Sequence, residues 1–270
     1  MQEWRVIEDV PKTGESNMNI DRAILASCGS GESLPTLRLY SWEQPTLTVG
    51  YAQDFAKEID INRCQKLGIE IVRRPTGGRA LLHNHEVTYS FTAPIPHNKF
   101  PPSLLGAYKT VAKALLEGLK EVGVYGAVLA SGKKTTIGKH SFHSPSCLSS
   151  INHLEIEVQG AKLVGSAQRR TKKAFLQHGS ILLDCDRGLV NSLFKFETDD
   201  ARCRSMEILN HKVVTLSECL GKSMTRKEVF KALIKGFSHT LKGNWVLGHL
   251  NSFELIKCTS NSYSKENINI

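Results

Sequence analysis

The 270-residue chain carries 35 lysines and arginines against 26 acidic residues, a formal charge of +9. Its 40% hydrophobic and 23% charged content is that of a folded protein and excludes a disordered one. No apolar run approaches the ~20 residues that span a bilayer. The opening "MQEWRVIEDV" lacks the basic start, apolar middle and small-residue cleavage site of a secretory signal. A cytoplasmic protein with no membrane association is expected. Seven scattered cysteines, an odd number without a C-x-x-C, are no disulfide framework and fit a reducing compartment.

In chain order, strand-like runs fall at 37–42, 46–51, 69–74 and 79–91 ("RALLHNHEVTYSF"), rich in alternating, β-branched and aromatic residues. A helix is predicted over 103–123, with Ser103 as N-cap after two prolines. Leu105, Tyr108, Ala112, Leu115, Leu119 and Val122 form its apolar face, and Gly123 is its stop. Further strands are predicted at 154–158, 162–167 and 180–183. Thr225 and Glu228 then form a capping-box pair at the head of an amphipathic helix. The last ten residues are polar and expected to fray. With no linker-like run and no internal repeat, the pattern predicts one α/β or α+β domain with a helical C-terminal part.

The most pointed stretch is "RRPTGGRALLHNHEVTYSF", Arg73 to Phe91. Gly77 and Gly78 permit positive φ and let a ligand approach the main chain. Amides exposed there can cradle an anion or a carbonyl oxygen, with Arg73, Arg74 and Arg79 adding positive charge. The same residues also read as a hairpin turn with solvated arginines. "SGKKTT" (131–136) is not a phosphate loop, because Ala127 and Lys134 stand where that pattern needs Gly and Ser or Thr. His140, His143 and Cys147 lack a fourth ligand nearby, so no metal is expected.

Cys147 follows a Ser-Pro-Ser turn among Lys139, His140 and His143, and positive charge nearby favours the attacking thiolate. A semi-buried structural cysteine is the alternative. Lys162 opens a short strand ending in Gly165 and Ser166, and reads either as a surface lysine or as one pointing into a pocket. In the step His178-Gly179-Ser180, Gly179 marks a place where a side chain would obstruct a neighbouring backbone. The charge calls for an acidic partner. No helix-turn-helix, zinc-finger or RNA-binding aromatic motif is present, so nucleic acid is not expected.

Taken in order, "RRPTGGRALLHNHEVTYS", Cys147, "GAKLVGSAQR" (160–169) and "LQHGSILL" (176–183) closely resemble the lipoate/octanoate branch of the biotin–lipoate protein ligase superfamily. The match is best to its cysteine-dependent octanoyltransferases. "MNIDRAIL" (18–25) resembles that family's opening helix and "WEQPTLTVGYAQ" (42–53) its first sheet segment. The resemblance implies a mixed β-sheet flanked by helices. It places a catalytic domain over 1–245 (core about 30–245) and a partly frayed tail over 246–270.

The resemblance also implies a reaction. Octanoyl passes from octanoyl-acyl carrier protein to Cys147, and then to a lysine of a lipoyl-domain protein, with neither metal nor nucleotide. Cys147 and Lys162 are the implied catalytic pair. Arg73, Arg74, Gly77, Gly78, His83, Gly165, Ser166, His178 and Gly179 are the implied acyl-binding residues. Basic segments at 131–140 and 169–173 would steer both acidic carriers. Three alternatives remain open on the same fold. One is an ATP-dependent lipoate–protein ligase, against which Arg79 and "HEV" (85–87) replace a third glycine and a "GN". The others are a lipoyl or octanoyl amidotransferase and a non-catalytic binder of an acylated partner.

Overall fold

The computed structural model describes residues 1–130 and 155–259. The chain runs β1 (Glu3–Glu8), α1 (Gly14–Ser30), β2 (Thr36–Tyr40), β3 (Thr46–Val49), α2 (Phe55–Glu58), α3 (Ile61–Lys66) and β4 (Glu70–Arg73). It continues through β5 (Leu81–His83), β6 (Glu86–Pro94), α4 (Leu104–Glu121), β7 (Ala127–Leu129), β8 (Ile156–Val158), β9 (Ala161–Arg170) and β10 (Ala174–Leu182). It closes with α5 (Arg187–Ser192), α6 (Asp199–Lys212), α7 (Leu216–Leu220), α8 (Arg226–Leu241), β11 (Asn244–Leu247) and α9 (Ser252–Thr259). A large mixed sheet has the order β11-β1-β2-β6-β10-β9-β8-β7, and a small one the order β4-β3-β5.

Strand β6 shows why the large sheet has two unlike faces. Side chains of a strand alternate between faces, and "EVTYSFTAP" sends Val87, Tyr89, Phe91 and Ala93 one way and Glu86, Thr88, Ser90 and Thr92 the other. β2, its antiparallel neighbour, does the same with Leu37 and Leu39 against Arg38 and Tyr40. The apolar set joins Val111, Ala114 and Leu115 of α4 and Val229, Leu233 and Phe237 of α8 in the main core. The polar set faces α1, which packs on β6 and β10. The small sheet divides likewise. Leu47, Val49 and Leu82 pack with Ile59, Leu193 and Phe194 in a second core. That leaves Thr48 and His83 toward the large sheet, where His83 meets Ser180 of β10.

The mixed sheet flanked by helices is as expected, and so are most of the elements. Ser103 caps α4 by accepting from the Gly106 amide, and Gly123 ends it at φ 98°. Thr225 and Glu228 form the predicted capping box of α8. Three local readings change. The run 79–91 is two strands in different sheets: the chain bends at Asn84 and His85, and the Glu86 carboxylate accepts from the Asn84 amide at 2.6 Å. β9 and β10 are longer than predicted because they form one antiparallel hairpin. Leu105 is exposed, since at about 3.6 residues per turn it lies roughly 120° around α4 from Val111, the middle of the buried stripe.

The expected boundary at 245 falls inside β11, which pairs parallel with β1. Beyond it, α9 packs on α1 and its Glu254 is fully buried, accepting from Arg5 at 2.5 and 2.9 Å. The last ten residues lie outside the described residues.

Candidate active site

A cavity with about 530 Å³ of empty space, partly open to solvent, lies between the polar face of the large sheet and the small sheet. Met18, Trp42, Leu81 and Ala167 supply apolar walls, and Thr48, Arg74, His83, Thr88, Glu155, His178 and Ser180 bring polar groups to it.

One wall is organised by Asp21 of α1, which is wholly buried. Its Oδ1 accepts from Arg38 Nη1 and from Ser90 Oγ, both at 2.9 Å, while Oδ2 accepts from the Tyr40 hydroxyl at 3.0 Å. Burial alone would raise its pKa. The His178 hydrogen bond and the Arg38 guanidinium outweigh that and hold the carboxyl below its ordinary value. An ionised Asp21 fixes the His178 tautomer. Nδ1 lies 3.1 Å from Oδ2, where it donates to the carboxylate, and Nε2 lies 2.7 Å from the Thr76 hydroxyl. Burial pushes the Tyr40 phenol well above its usual range.

Across the cavity, His83 stacks on Trp42 with ring centroids 4.1 Å apart and lies 2.9 Å from Thr48 Oγ1. Burial lowers its pKa, although Glu86 pulls the other way. The loop after β4 closes this end. Arg74 is buried, and its guanidinium donates to the carbonyls of Thr48, Gly77 and Arg79 at 3.1, 2.8 and 2.7 Å. The arginine therefore braces the loop from inside instead of standing in solvent. Gly78 sits at φ 95°, and a Cβ on the facing Gly50 would collide with its carbonyl oxygen.

On β9, Lys162 is 1% exposed and its Nζ lies 2.5 Å from Oε1 of Glu155, itself 3% exposed. A buried ion pair is tolerated only with close geometry, and removing one partner costs about 3–5 kcal/mol. Space for the ammonium comes from Gly165, where a Cβ would stand 2.9 Å from Lys162 Cε and 3.3 Å from Nζ. Gly179 faces β9 closely enough that a Cβ would strike the Gly165 carbonyl oxygen.

Of the residues expected to bind an acyl group, Arg74, Gly78, His83, Gly165, Ser166, His178 and Gly179 line this one cavity. The Ser166 hydroxyl turns away from it, 2.6 Å from the Tyr89 phenol. Arg73 and Gly77 are not among the lining residues. Arg73 donates to the carbonyls of Gly50, Tyr51 and Gln53 and lies over the Phe55 ring, on the loop's outer side. Gly77 contributes its carbonyl to Arg74. Lys162 reaches the cavity through Glu155. Cys147, His140, His143 and the basic segment 131–140 lie outside the described residues. Among those described, no group of three potential ligands could hold a metal, and no helix is long and apolar enough to cross a membrane.

Sequence reasoning missed Asp21, Arg38 and Glu155. A signal existed for the first two: Asp21 sits in the apolar helix run "MNIDRAIL", and Arg38 interrupts a strand of leucines and tyrosine. Charges inserted where a core is being built need partners. Glu155 carried no such mark.

Residues 13–238 match the lipoyl protein ligase A/B catalytic domain family, and the chain belongs to it. It is 36% identical over 250 residues to the octanoyltransferase LipM of Carboxydothermus hydrogenoformans, covering 93% of this chain and 91% of that one. It is 38% identical over 243 residues to the LipM of Geobacillus kaustophilus, covering 88% and 86%. Its fold is similar to that of a bipartite lipoate protein ligase from Thermoplasma acidophilum, with a TM-score of 0.77 over 96% of this chain and 91% of the other at 21% identity.

Proposed function

We propose that this protein is an octanoyltransferase. It takes the octanoyl group of octanoyl-acyl carrier protein onto Cys147 as a thioester and passes it to a lysine of a lipoyl-domain protein in the cytoplasm. The observation that carries the reading is the likeness, over about nine-tenths of the chain, to proteins named octanoyltransferase LipM. The cavity supports it. Met18, Trp42 and Leu81 give an alkyl chain an apolar bed, and the Glu155 carboxylate, held by Lys162 behind it, stands at the cavity wall.

In the first step the Cys147 thiolate attacks the donor thioester, and the carrier's thiol leaves with the proton. In the second, the acceptor amine attacks the acyl-enzyme, loses a proton as the amide forms, and releases the Cys147 thiolate. Lys162, held as an ammonium by Glu155, stabilises the thiolate before attack and the oxyanion that develops during it. The first step exchanges one thioester for another and the second converts a thioester into a more stable amide, so neither needs a nucleotide to drive it. Five other thiols suit this chemistry poorly. Burial raises the pKa of Cys28 to about 12 and of Cys64 and Cys185 to about 11, and it also raises those of Cys219 and Cys258.

The test is intact mass after mixing with octanoyl-acyl carrier protein without ATP, beside Cys147→Ala. An octanoyl adduct on the wild type that is absent from the variant is expected. An adduct on neither, with acceptor modification appearing only when octanoate and ATP are supplied, would replace this reading with the ligase one.

A further inference from the structure

A second concavity, of about 1050 Å³ of empty space, lies between α1 and the β9–β10 hairpin. Its floor is apolar, from Leu25 and Ala26, and Arg22, Arg169, Lys172 and Lys173 bring four cationic side chains to it. Among the described residues, none of its lining side chains is acidic. Lys172 and Lys173 are exposed and have no carboxylate partner among the described residues. Arg169 donates to the Pro75 carbonyl at 3.1 Å and lies over the Tyr51 ring, so its charge meets no counter-ion in those contacts.

The position of this groove matters as much as its charge. Pro75 is one of its walls, and the same loop presents Arg74 and Gly78 to the acyl cavity. Thr76, next to Pro75, bonds His178 in the cavity wall. A partner seated in the groove therefore stands just across the loop from the acyl cavity.

Resting on the octanoyltransferase reading, we infer that this groove docks the acyl donor, an acidic carrier protein whose thioester hangs on a phosphodiester-linked arm. Donor and acceptor differ in a way the groove can sense. The donor approaches behind a phosphodiester and acidic side chains. The acceptor offers a protonated lysine and no phosphodiester, so the cations at 169–173, expected to steer both carriers, favour the donor in this groove. Charge complementarity of this kind acts on encounter and on KM, and is screened by salt.

The experiment uses the full chain and the double variant Lys172→Glu/Lys173→Glu, two exposed positions outside the acyl cavity. Acylation is followed by intact mass with two donors: octanoyl-acyl carrier protein, and octanoyl-pantetheine, which lacks both the protein and the phosphate. KM for the carrier donor should rise about 10-fold with kcat kept, the salt dependence of that KM should shrink, and the rate with octanoyl-pantetheine should hold. Binding of holo-acyl carrier protein, read by fluorescence anisotropy without turnover, should weaken by a similar factor. Equal losses with both donors, unchanged carrier binding, or a KM effect confined to the lipoyl-domain acceptor would each overturn the assignment. A wild type that neither donor acylates would strike the octanoyltransferase reading instead, with the anisotropy still judging the groove.

Discussion

The two faces of the large sheet are made by the same strands and do opposite work. Toward α4 and α8, Tyr89, Phe91 and Phe175 fill a dry core in which Phe91 lies 5.4 Å from the Phe237 ring and 6.1 Å from that of Trp4. Toward α1, alternate residues of those strands carry Arg38, Tyr40, Ser90 and His178, equally buried but joined through Asp21. One face stabilises by removing carbon from water. The other spends that stability holding polar groups at fixed angles around a cavity. The lesson is that a strand's alternation, usually read as inside against outside, here separates core from site.

If that division is right, substitutions on the two faces should separate in what they damage. Among the described residues, the largest effect on chemistry is expected at Lys162. Lys162→Ala should slow acyl-enzyme formation by about 100-fold or more, the range for loss of one preorganised electrostatic donor. It should also cost about 3–5 kcal/mol of stability by breaking the buried Lys162–Glu155 pair. The double change Lys162→Met/Glu155→Leu should recover most of that stability in denaturant melts and none of the rate. Recovery of both would mean that the pair is only structural.

On the apolar face, Phe91→Ala should cost about 3–5 kcal/mol in denaturant unfolding, while the fraction that remains folded transfers octanoyl at the wild-type rate. A large fall in kcat per folded molecule would show that the faces are not independent. Between these lies Gly179→Ala. Its new Cβ would press on the Gly165 carbonyl, beside the space the Lys162 head occupies. Overpacking of this kind costs about 1–3 kcal/mol. A matching loss of acylation rate is expected, because the displaced strand is the one that carries Lys162.

How much of this was legible beforehand follows the same line. The apolar face announces itself through alternation and helical periodicity, so α4, α8 and most of the strands could be read directly. The glycines that permit close approach, Gly78 and Gly179, were also visible, since their sequence contexts call for bare backbone. What resisted reading was pairing across long separations. Nothing local tells that Asp21 will meet His178, or that Arg74 will turn inward to brace its own loop instead of standing in solvent. The C-terminal helix was missed for that reason too. Its short amphipathic run becomes part of the body only through Glu254 meeting Arg5.

The smallest expected effect is on acid stability, and it also separates the faces. His83 is buried, and burial first of all lowers its folded-state pKa below the 6.5 of the unfolded chain. Between those two values the unfolded chain binds the extra proton, so stability is full above about pH 6.5 and falls as the pH drops toward the folded value. His97, half-buried beside Trp4, is shifted the same way and contributes in the same window. Asp21 does not: its folded pKa lies below the ordinary 3.8, so its contribution is constant above that value and lost only in stronger acid. Melting temperature should therefore drop between pH 7.5 and 5.5. His83→Gln should flatten part of that drop by removing a buried histidine whose pKa burial lowers, leaving the part due to His97 on the opposite side of the sheet. A slope unchanged by His83→Gln would place the proton uptake elsewhere.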